Sequence, residues 1–306
     1  MSLKNLSAIT KIPNSLKQKL KNKKINQIYN KFEKSISLNE KFLVAVSGGP
    51  DSLALAFLAK IYSIKKGLTS KFVIIDHKLR PESTKEAKHV KKNLKKYYID
   101  CEILTWKGKK PKSGIQEKAR DLRYNWFLEV LKSNDYDVIL TAHHADDQLE
   151  TFLMRLTRGS GLKGLGGMQD KKGVLVRPLL PFNKNEILSY AKKQKLNWRE
   201  DISNNSTKYL RNAIRHKVIP SFTGLSTNAV VNTLSSMQYL RDAFEAIESQ
   251  LEKIKATWKQ DGKSFTIPLS SIEQFNPQSF WLHHLLAFSL LLFQLKNLPN
   301  ILLVFY

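Results

Sequence analysis

Four groups of residues in this chain combine types and spacings that can do chemistry. The first is Ser47-Gly48-Gly49-Pro50-Asp51-Ser52, which directly follows the apolar run Phe42-Leu43-Val44-Ala45-Val46. The run reads as a buried strand, and Leu53, Leu55, Ala56, Leu58 and Ala59 then fall at helical spacing. The hexapeptide is therefore a strand-to-helix turn. Its glycines allow a sharp bend and a close backbone approach to a ligand. The N–H groups and dipole of the new helix favour an anion there, and a nucleotide phosphate is the natural guest. A plain Gly-Gly turn is the alternative.

The second group is Ala142-His143-His144-Ala145-Asp146-Asp147-Gln148-x-Glu150-Thr151. His143 ends a predicted strand, and Asp147 and Glu150 are three apart on the following helix, so they share a face. Carboxylates so placed can hold magnesium, bind an amine or take its proton. Acids also gather at helix starts simply to complement the dipole. A dinuclear metal hydrolase is a further reading, with Asp76-His77 completing the ligands. The third group puts Gln116, Arg120 and Arg123 on one helical face, with Phe127 one turn on. Paired arginines suit bidentate phosphate contacts, or a surface salt-bridged helix. The fourth is Trp198-Arg199-Glu200-Asp201-x-Ser203-Asn204 with Arg211-Asn212-x-Ile214-Arg215, a polar loop and a basic helix of the kind that contacts a nucleic-acid backbone.

Elements that must position these groups are legible between them. Strands are expected at Phe72–Ile75, Cys101–Trp106, Val138–Ala142 and Val174–Val176. Helices are expected at Ser83–Tyr98, where Ser83 and Glu86 form a capping box, at Gly114–Leu131, at Ala145–Leu156 and from Asn183 with Glu186. Alternating strands and helices imply an α/β fold, a doubly wound, mainly parallel sheet. Ligands of such sheets sit at the carboxyl ends of the strands, where Ser47–Ser52, Asp76-His77 and His143–Asp147 all fall. From about Ser221 the pattern becomes helical, with one long helix over Thr227–Trp258. The expected organisation is a basic extension over 1–41, a nucleotide-binding catalytic domain over 42–220 and a smaller, mainly helical C-terminal domain over 221–306.

Composition narrows the class. Across 306 residues, 51 basic and 26 acidic side chains leave a net charge of +25. That excess implies a polyanionic partner such as RNA, unless it is lysine-rich background usage. The first 41 residues hold ten lysines against Glu33 and Glu40, with no apolar core of signal-peptide type. The single cysteine, Cys101, excludes an internal disulfide framework and a multi-cysteine metal site, and fits a reducing, cytoplasmic compartment. Cys101 is expected to be packed.

The phosphate loop is not of the Walker type, which needs a lysine before its final hydroxyl residue. Ser-Gly-Gly-x-Asp-Ser after a strand resembles instead the loop of the PP-loop ATP pyrophosphatases, folds of the adenine nucleotide alpha hydrolase type. Gly159-Ser160-Gly161-Leu162-Lys163-Gly164 matches the dinucleotide fingerprint Gly-x-Gly-x-x-Gly, but it follows a helix and not a strand, so a mobile glycine-rich loop is expected. Taken with Asp76-His77-x-Leu79-Arg80-x-Glu82-Ser83, Gln116–Phe127, Ala142–Thr151, Arg155–Gly161, Arg177-Pro178-Leu179, Glu200–Asn204 and Arg211–Arg215, the loop resembles one family closely, the tRNA(Ile)-lysidine synthetases. The resemblance covers roughly residues 40 to 220.

What that resemblance implies is a ligase acting on isoleucine tRNA with a CAU anticodon. The wobble cytidine is adenylated by ATP, and free L-lysine then displaces AMP to give lysidine. It implies that Ser47, Gly48, Gly49, Pro50, Asp51 and Ser52 bind ATP, with Mg2+ near Asp51 and Asp147. His143, Asp147 and Glu150 would form the lysine and catalytic pocket, and Arg123 and Arg215 would contact ATP or the reacting intermediate. Other readings are another adenylating PP-loop enzyme acting on tRNA, such as a thiolase, and a non-catalytic RNA-binding protein. The lone cysteine disfavours cysteine-dependent sulfur transfer. The apolar run Phe280–Leu295 is short for a membrane span of ~20 residues and is read as a buried helix, with a truncated or altered terminus as the alternative. No membrane partner is expected, and the oligomeric state is open.

Overall fold

Side chains alternate along the central strands, and both faces of the sheet they build are covered. The structure, a computed structural model, describes residues 22–39, 41–76, 78, 82–105, 125–133, 136–198, 209–255, 259–261, 264–267 and 302–305. In chain order, α1 (Lys23–Lys34) precedes β1 (Phe42–Val46), α2 (Pro50–Lys66), β2 (Ser70–Asp76), α3 (Ser83–Lys95) and β3 (Cys101–Thr105). After helical residues 125–133 (α4) come β4 (Val138–Leu140), α5 (Ala145–Leu156), α6 (Leu162–Leu165), β5 (Lys171–Lys172), β6 (Leu175–Val176) and α7 (Lys184–Lys193). Then follow α8 (Leu210–Ala213), a π-helical turn (Ile214–Val218), α9 (Ile219–Gly224), α10 (Ala229–Lys255) and strands β7 (Lys259–Asp261), β8 (Ser264–Ile267) and β9 (Leu302–Phe305).

Six strands form one sheet in the order β3-β2-β1-β4-β6-β5. All neighbours are parallel except the edge pair β5–β6. The order starts outward from β1 in one direction and resumes at β4 in the other, so the β1–β4 boundary is the switch point of a doubly wound sheet. This is the fold class the alternating pattern implies. Strand β6 falls within the expected Val174–Val176, whereas its antiparallel edge partner β5 was not read from sequence, because a two-residue strand carries no periodicity.

Phe42, Val44 and Val46 of β1, Phe72 and Ile74 of β2, and Val138 and Leu140 of β4 join one cluster with α1, α2, α3 and α7. Leu43, Val73 and Ile139 point to the other face and meet Phe127 and Leu131 of α4. Cys101 is buried in the first cluster, as expected, and burial pushes its thiol up to about 12. Helix α2 is buried around most of its circumference, and Gly67 at φ 69° ends it in the left-handed conformation usual after a helix.

The chain divides into two compact units, residues 1–158 with 167–234, and residues 159–166 with 235–306. In the second unit, described residues include the C-terminal part of α10, the short α6 within the glycine-rich stretch, and an additional three-stranded sheet in the order β7-β8-β9. The apolar run 280–295 lies outside the described residues, as do residues 1–21. Among the described residues, no helix is long and apolar enough to cross a membrane.

The basic N-terminal stretch contains a helix that packs on the sheet unit. Ile25, Tyr29 and Phe32 of α1 are buried in the main cluster at helical spacing, while the lysines between them face outward or pair with acids. Asn22 caps the helix by accepting from the N–H groups of Lys24 and Ile25. Lys31 reaches Glu186 on α7 at 2.7 Å, and Ser35 Oγ donates to the carbonyl of Pro178 at 2.8 Å. The described residues of 22–39 thus include buried members of the main cluster of the first unit. Phe32→Ala should therefore cost about 3–5 kcal/mol in denaturant unfolding of the chain. A loss below about 1 kcal/mol would mean that α1 rests on the unit without completing its core.

Candidate active site

The phosphate-type loop is shaped by two of its own residues. Gly48 has φ 89°, open to glycine and strained for other residues, and a Cβ there would stand 2.6 Å from Val90 Cγ2 of α3. Ser52 closes the turn from inside. Its Oγ accepts from the N–H groups of Ser47 and Gly48, both at 3.1 Å, and donates to the carbonyl of Gly49 at 2.9 Å. Ser47 Oγ lies 3.1 Å from it. Ser52 therefore holds the loop, and the expectation that all these groups address a phosphate is narrowed to the first-turn amides of α2, which a helix leaves unpaired by construction.

Helix α2 begins with Pro50 and presents Asp51 in its first turn. The Asp51 carboxylate receives the Lys184 ammonium at 2.6 Å on each oxygen. Lys184 opens α7, and its backbone N–H donates to Asp146 Oδ2 at 2.7 Å. The expected capping box of that helix is formed: Asn183 accepts from the N–H of Glu186, and Glu186 from that of Asn183. The same motif read at Ser83 is not formed as a box. Ser83 Oγ and Thr84 Oγ1 each donate to buried Asp76 at 2.6 Å, and the Lys78 N–H adds a third bond at 3.0 Å. Burial opposes ionisation of Asp76, but these bonds hold its carboxyl below the usual range. Asp76 thus fixes the end of β2 against α3, a structural role.

Between the loop and α5 lies His144, buried, with its Nε2 3.8 Å from Asp51 and 3.5 Å from Asp147, and its Nδ1 3.5 Å from Asp146. Burial disfavours its charged form, yet the Asp146 hydrogen bond and the charges of Asp147 and Asp51 prevail and raise its pKa. The carboxyls of Asp146 and Asp147 are lowered against their own burial, chiefly by His144 and, for Asp147, also by Arg211. His143, the histidine singled out in sequence, is half-buried and pairs through Nδ1 with Thr141 Oγ1 at 3.1 Å. The central imidazole is its neighbour.

Glu150 is 2% exposed and is held by two guanidiniums. Arg211 Nε donates at 2.6 Å, Arg215 Nε at 2.5 Å and Arg215 Nη2 at 3.0 Å. Arg211 also donates to Asp147 at 3.0 Å. Arg211 and Arg215 are one turn apart on α8 and the π-helical turn, an irregularity frequent at functional sites. Removing one partner from such a buried arrangement typically costs about 3–5 kcal/mol. Gln148 makes a reciprocal pair with the backbone of Met168, at 2.6 Å and 2.7 Å, which ties α5 to the segment before β5.

The structure thus gathers Ser47–Ser52, Asp51, Asp147, Glu150 and Arg215 at the β1–β4 boundary, with His143 at the end of β4. Arg123 lies outside the described residues, as do Gln116, Arg120, His77 and 199–208. Sequence reasoning missed His144, Asp146, Lys184 and Arg211 as site residues. The first two and Arg211 stood inside motifs already singled out. For Lys184 the one signal was its place at the start of a capped helix. Among the described residues, no group of three or more His, Cys, Asp or Glu side chains could hold a metal ion.

Because the His144 pKa is raised by folding, its contribution to stability is complete below its unfolded value of about 6.5 and fades as pH rises through the folded value. Wild type should lose unfolding free energy as pH rises above about 6.5 more steeply than His144→Gln. Parallel pH profiles for the two proteins would show that the imidazolium is not part of this network.

Comparison with known proteins places this geometry. The profile of the PP-loop domain family matches residues 17–222. The chain is 36% identical over 269 residues to the bifunctional protein TilS/HprT of Listeria monocytogenes, covering 82% of this chain and 40% of that one. It is 40% identical over 179 residues to the tRNA(Ile)-lysidine synthase of Bradyrhizobium diazoefficiens, covering 56% and 50%. The chain spans half or less of the length of these relatives. The U34-tRNA thiolase NcsA of Methanococcus maripaludis, solved with its [4Fe-4S] cluster, superposes with a TM-score of 0.60 at 18% identity, over 71% of this chain and 78% of that one, a likeness of fold. The chain belongs to the PP-loop family, and within it is similar to the tRNA(Ile)-lysidine synthases.

Proposed function

We propose that this protein ligates lysine to C2 of the wobble cytidine of isoleucine tRNA, with ATP as the activating substrate. The observation that carries the reading is the meeting of the Ser47–Ser52 loop with Asp51, His144, Asp147 and the Arg211–Glu150–Arg215 cluster at one edge of the sheet. The similarity to tRNA(Ile)-lysidine synthases supports the choice of substrate.

In the first step the cytosine O2 attacks the α-phosphorus of ATP, and the bond to the β-phosphate oxygen breaks. Negative charge grows on the departing pyrophosphate. First-turn amides of α2 and nearby cations stabilise it. Asp51 is the residue that would hold a Mg2+ ion, which would supply further charge neutralisation. In the second step the neutral ε-amine of lysine attacks C2, and AMP leaves with the former O2. The amine loses a proton, and Asp147, bonded by Arg211 but more exposed than Glu150, is the carboxylate this reading assigns to bind the lysine amine and steer it. Glu150 is already shared by Arg211 and Arg215, so its role in this reading is to aim the two arginines at phosphate.

Two half-reactions separate these roles. Asp51→Asn should nearly abolish pyrophosphate release while tRNA binding persists. Asp147→Ala should raise the lysine requirement roughly ten- to a hundredfold, the loss of one charge-assisted hydrogen bond, and leave pyrophosphate release less affected. Glu150→Ala should depress both steps. Equal loss of both steps in Asp147→Ala would remove the lysine-binding assignment. Absence of ATP-dependent incorporation of labelled lysine into tRNA with wild type would remove the whole reading.

The outer face of α3 carries exposed Lys85, Lys88, Lys92 and Lys95, while Ala87 and Leu94 pack inward. These lysines are candidates for tRNA phosphate contacts. Affinity for tRNA should fall with salt at a slope of roughly 0.7–0.9 per contact, and Lys88→Gln with Lys92→Gln should flatten it by about two contacts. An unchanged slope would put the RNA elsewhere.

A further inference from the structure

The loop sequence lacks the lysine with which a Walker loop meets its phosphates. Its own glycines and hydroxyls are occupied in shaping the turn, and the one carboxylate adds negative charge where a polyanion must sit. A cation is needed there; the arginines of α8 and the π-helical turn bond Glu150 and Asp147, and the cation that bonds the loop's own carboxylate is Lys184. Lys184 arrives from 133 residues along the chain and stands with Nζ at 2.6 Å from both oxygens of Asp51, in the first turn of α2.

The base of that side chain is fixed. Its N–H is held by Asp146, the Phe182 carbonyl beside it accepts from the Ala145 N–H at 2.9 Å, and Glu186 of the same helix is clamped by Lys31. Its head is not confined. The Lys184 side chain is 34% exposed and that of Asp51 24%. Ion pairs this open contribute about 0–1 kcal/mol to stability, so the pair is weak as a brace. A flexible four-carbon stem on a rigid base, ending in a point charge with three donors, is instead suited to change partners.

We propose that Lys184 is a phosphate-binding residue of this site, its ammonium passing from Asp51 to the β- and γ-phosphate oxygens of ATP. The α7 start thereby supplies what a Walker loop carries within itself. The inference rests on the reading of Ser47–Ser52 as an ATP loop, and deepens it.

The test is direct binding of ATP and of adenosine to the full chain by calorimetry, without tRNA or lysine. Lys184→Met should weaken ATP by roughly ten- to a hundredfold and leave adenosine unchanged, and Lys184→Arg should recover part of the loss. The same comparison in an Asp51→Asn background removes the alternative that Lys184 only neutralises Asp51. There the loss of ATP affinity on adding Lys184→Met should persist. If it vanishes in that background, or if adenosine weakens in parallel, Lys184 is a structural partner and the proposal falls. If wild type binds ATP no more tightly than adenosine, the ATP loop itself is misread, a failure distinct from that of Lys184.

Discussion

Parallel pairing of β1 with β4, Phe42 to Val138 and Val44 to Leu140, is the constraint on which the site depends. It brings the loop after β1 and the turn after β4 out at the same edge of the sheet, at the point where the strand order reverses. The chains diverge there, and the crevice between them takes the first turns of both α2 and α5. Asp51 and Asp147 consequently face one imidazole, that of His144, at 3.8 Å and 3.5 Å. Nearby Asp146 and Glu150 bring the carboxylates to four. Like charges so close destabilise one another unless cations enter. Lys184, Arg211 and Arg215 supply three, and against its burial the carboxylates raise the pKa of His144 toward its charged form. The docking of α7, α8 and the π-helical turn over the sheet edge is thus also an electrostatic requirement.

Support for this arrangement extends to the N-terminal helix α1. Lys31 of α1 pairs with Glu186 and lies 4.5 Å from the centre of the Phe182 ring. Phe182 is fully buried, and its carbonyl receives the first N–H of α5. A helix that touches no catalytic group therefore fixes where Lys184 leaves the backbone and where Asp146 can meet it. Positioning at an active site depends on such outer contacts as much as on the reacting groups.

What could be read in the sequence was what is local. Strand periodicity, the glycine turn and the capped start at Asn183 each span a few residues, and each is where the pattern put it. The partners of the site acids are not local: Arg211 meets Glu150 across 61 residues and Lys184 meets Asp51 across 133. No spacing rule joins such pairs, so Glu150 read as an open carboxylate and Lys184 as an ordinary helix-start lysine. The N-terminal helix was obscured for another reason. Net charge dominated its composition and hid Ile25, Tyr29 and Phe32, whose spacing of four and three was itself a helical signal. At Ser83 the local motif was present but lost to a stronger competitor, the buried carboxylate of Asp76, which gains more from two hydroxyl donors than the helix gains from a cap.

The same chain carries an excess of +25 and yet concentrates acids at its sheet edge. The two facts are compatible because they concern different distances. Exposed lysines such as those on α3 act over a Debye length of about 8 Å and draw a polyanion to the surface without choosing its orientation. At the crevice, charge is instead balanced pair by pair, so an approaching phosphate gains little from the field and must exchange contacts with particular groups. Discrimination then comes from which cations can be released. The guanidiniums of Arg211 and Arg215 share a buried Glu150, whereas the ammonium of Lys184 is 34% exposed and pairs with Asp51. In the proposed reading, the inner cations of such a site are yielded only to a ligand that reaches Asp51, Glu150 and the loop together.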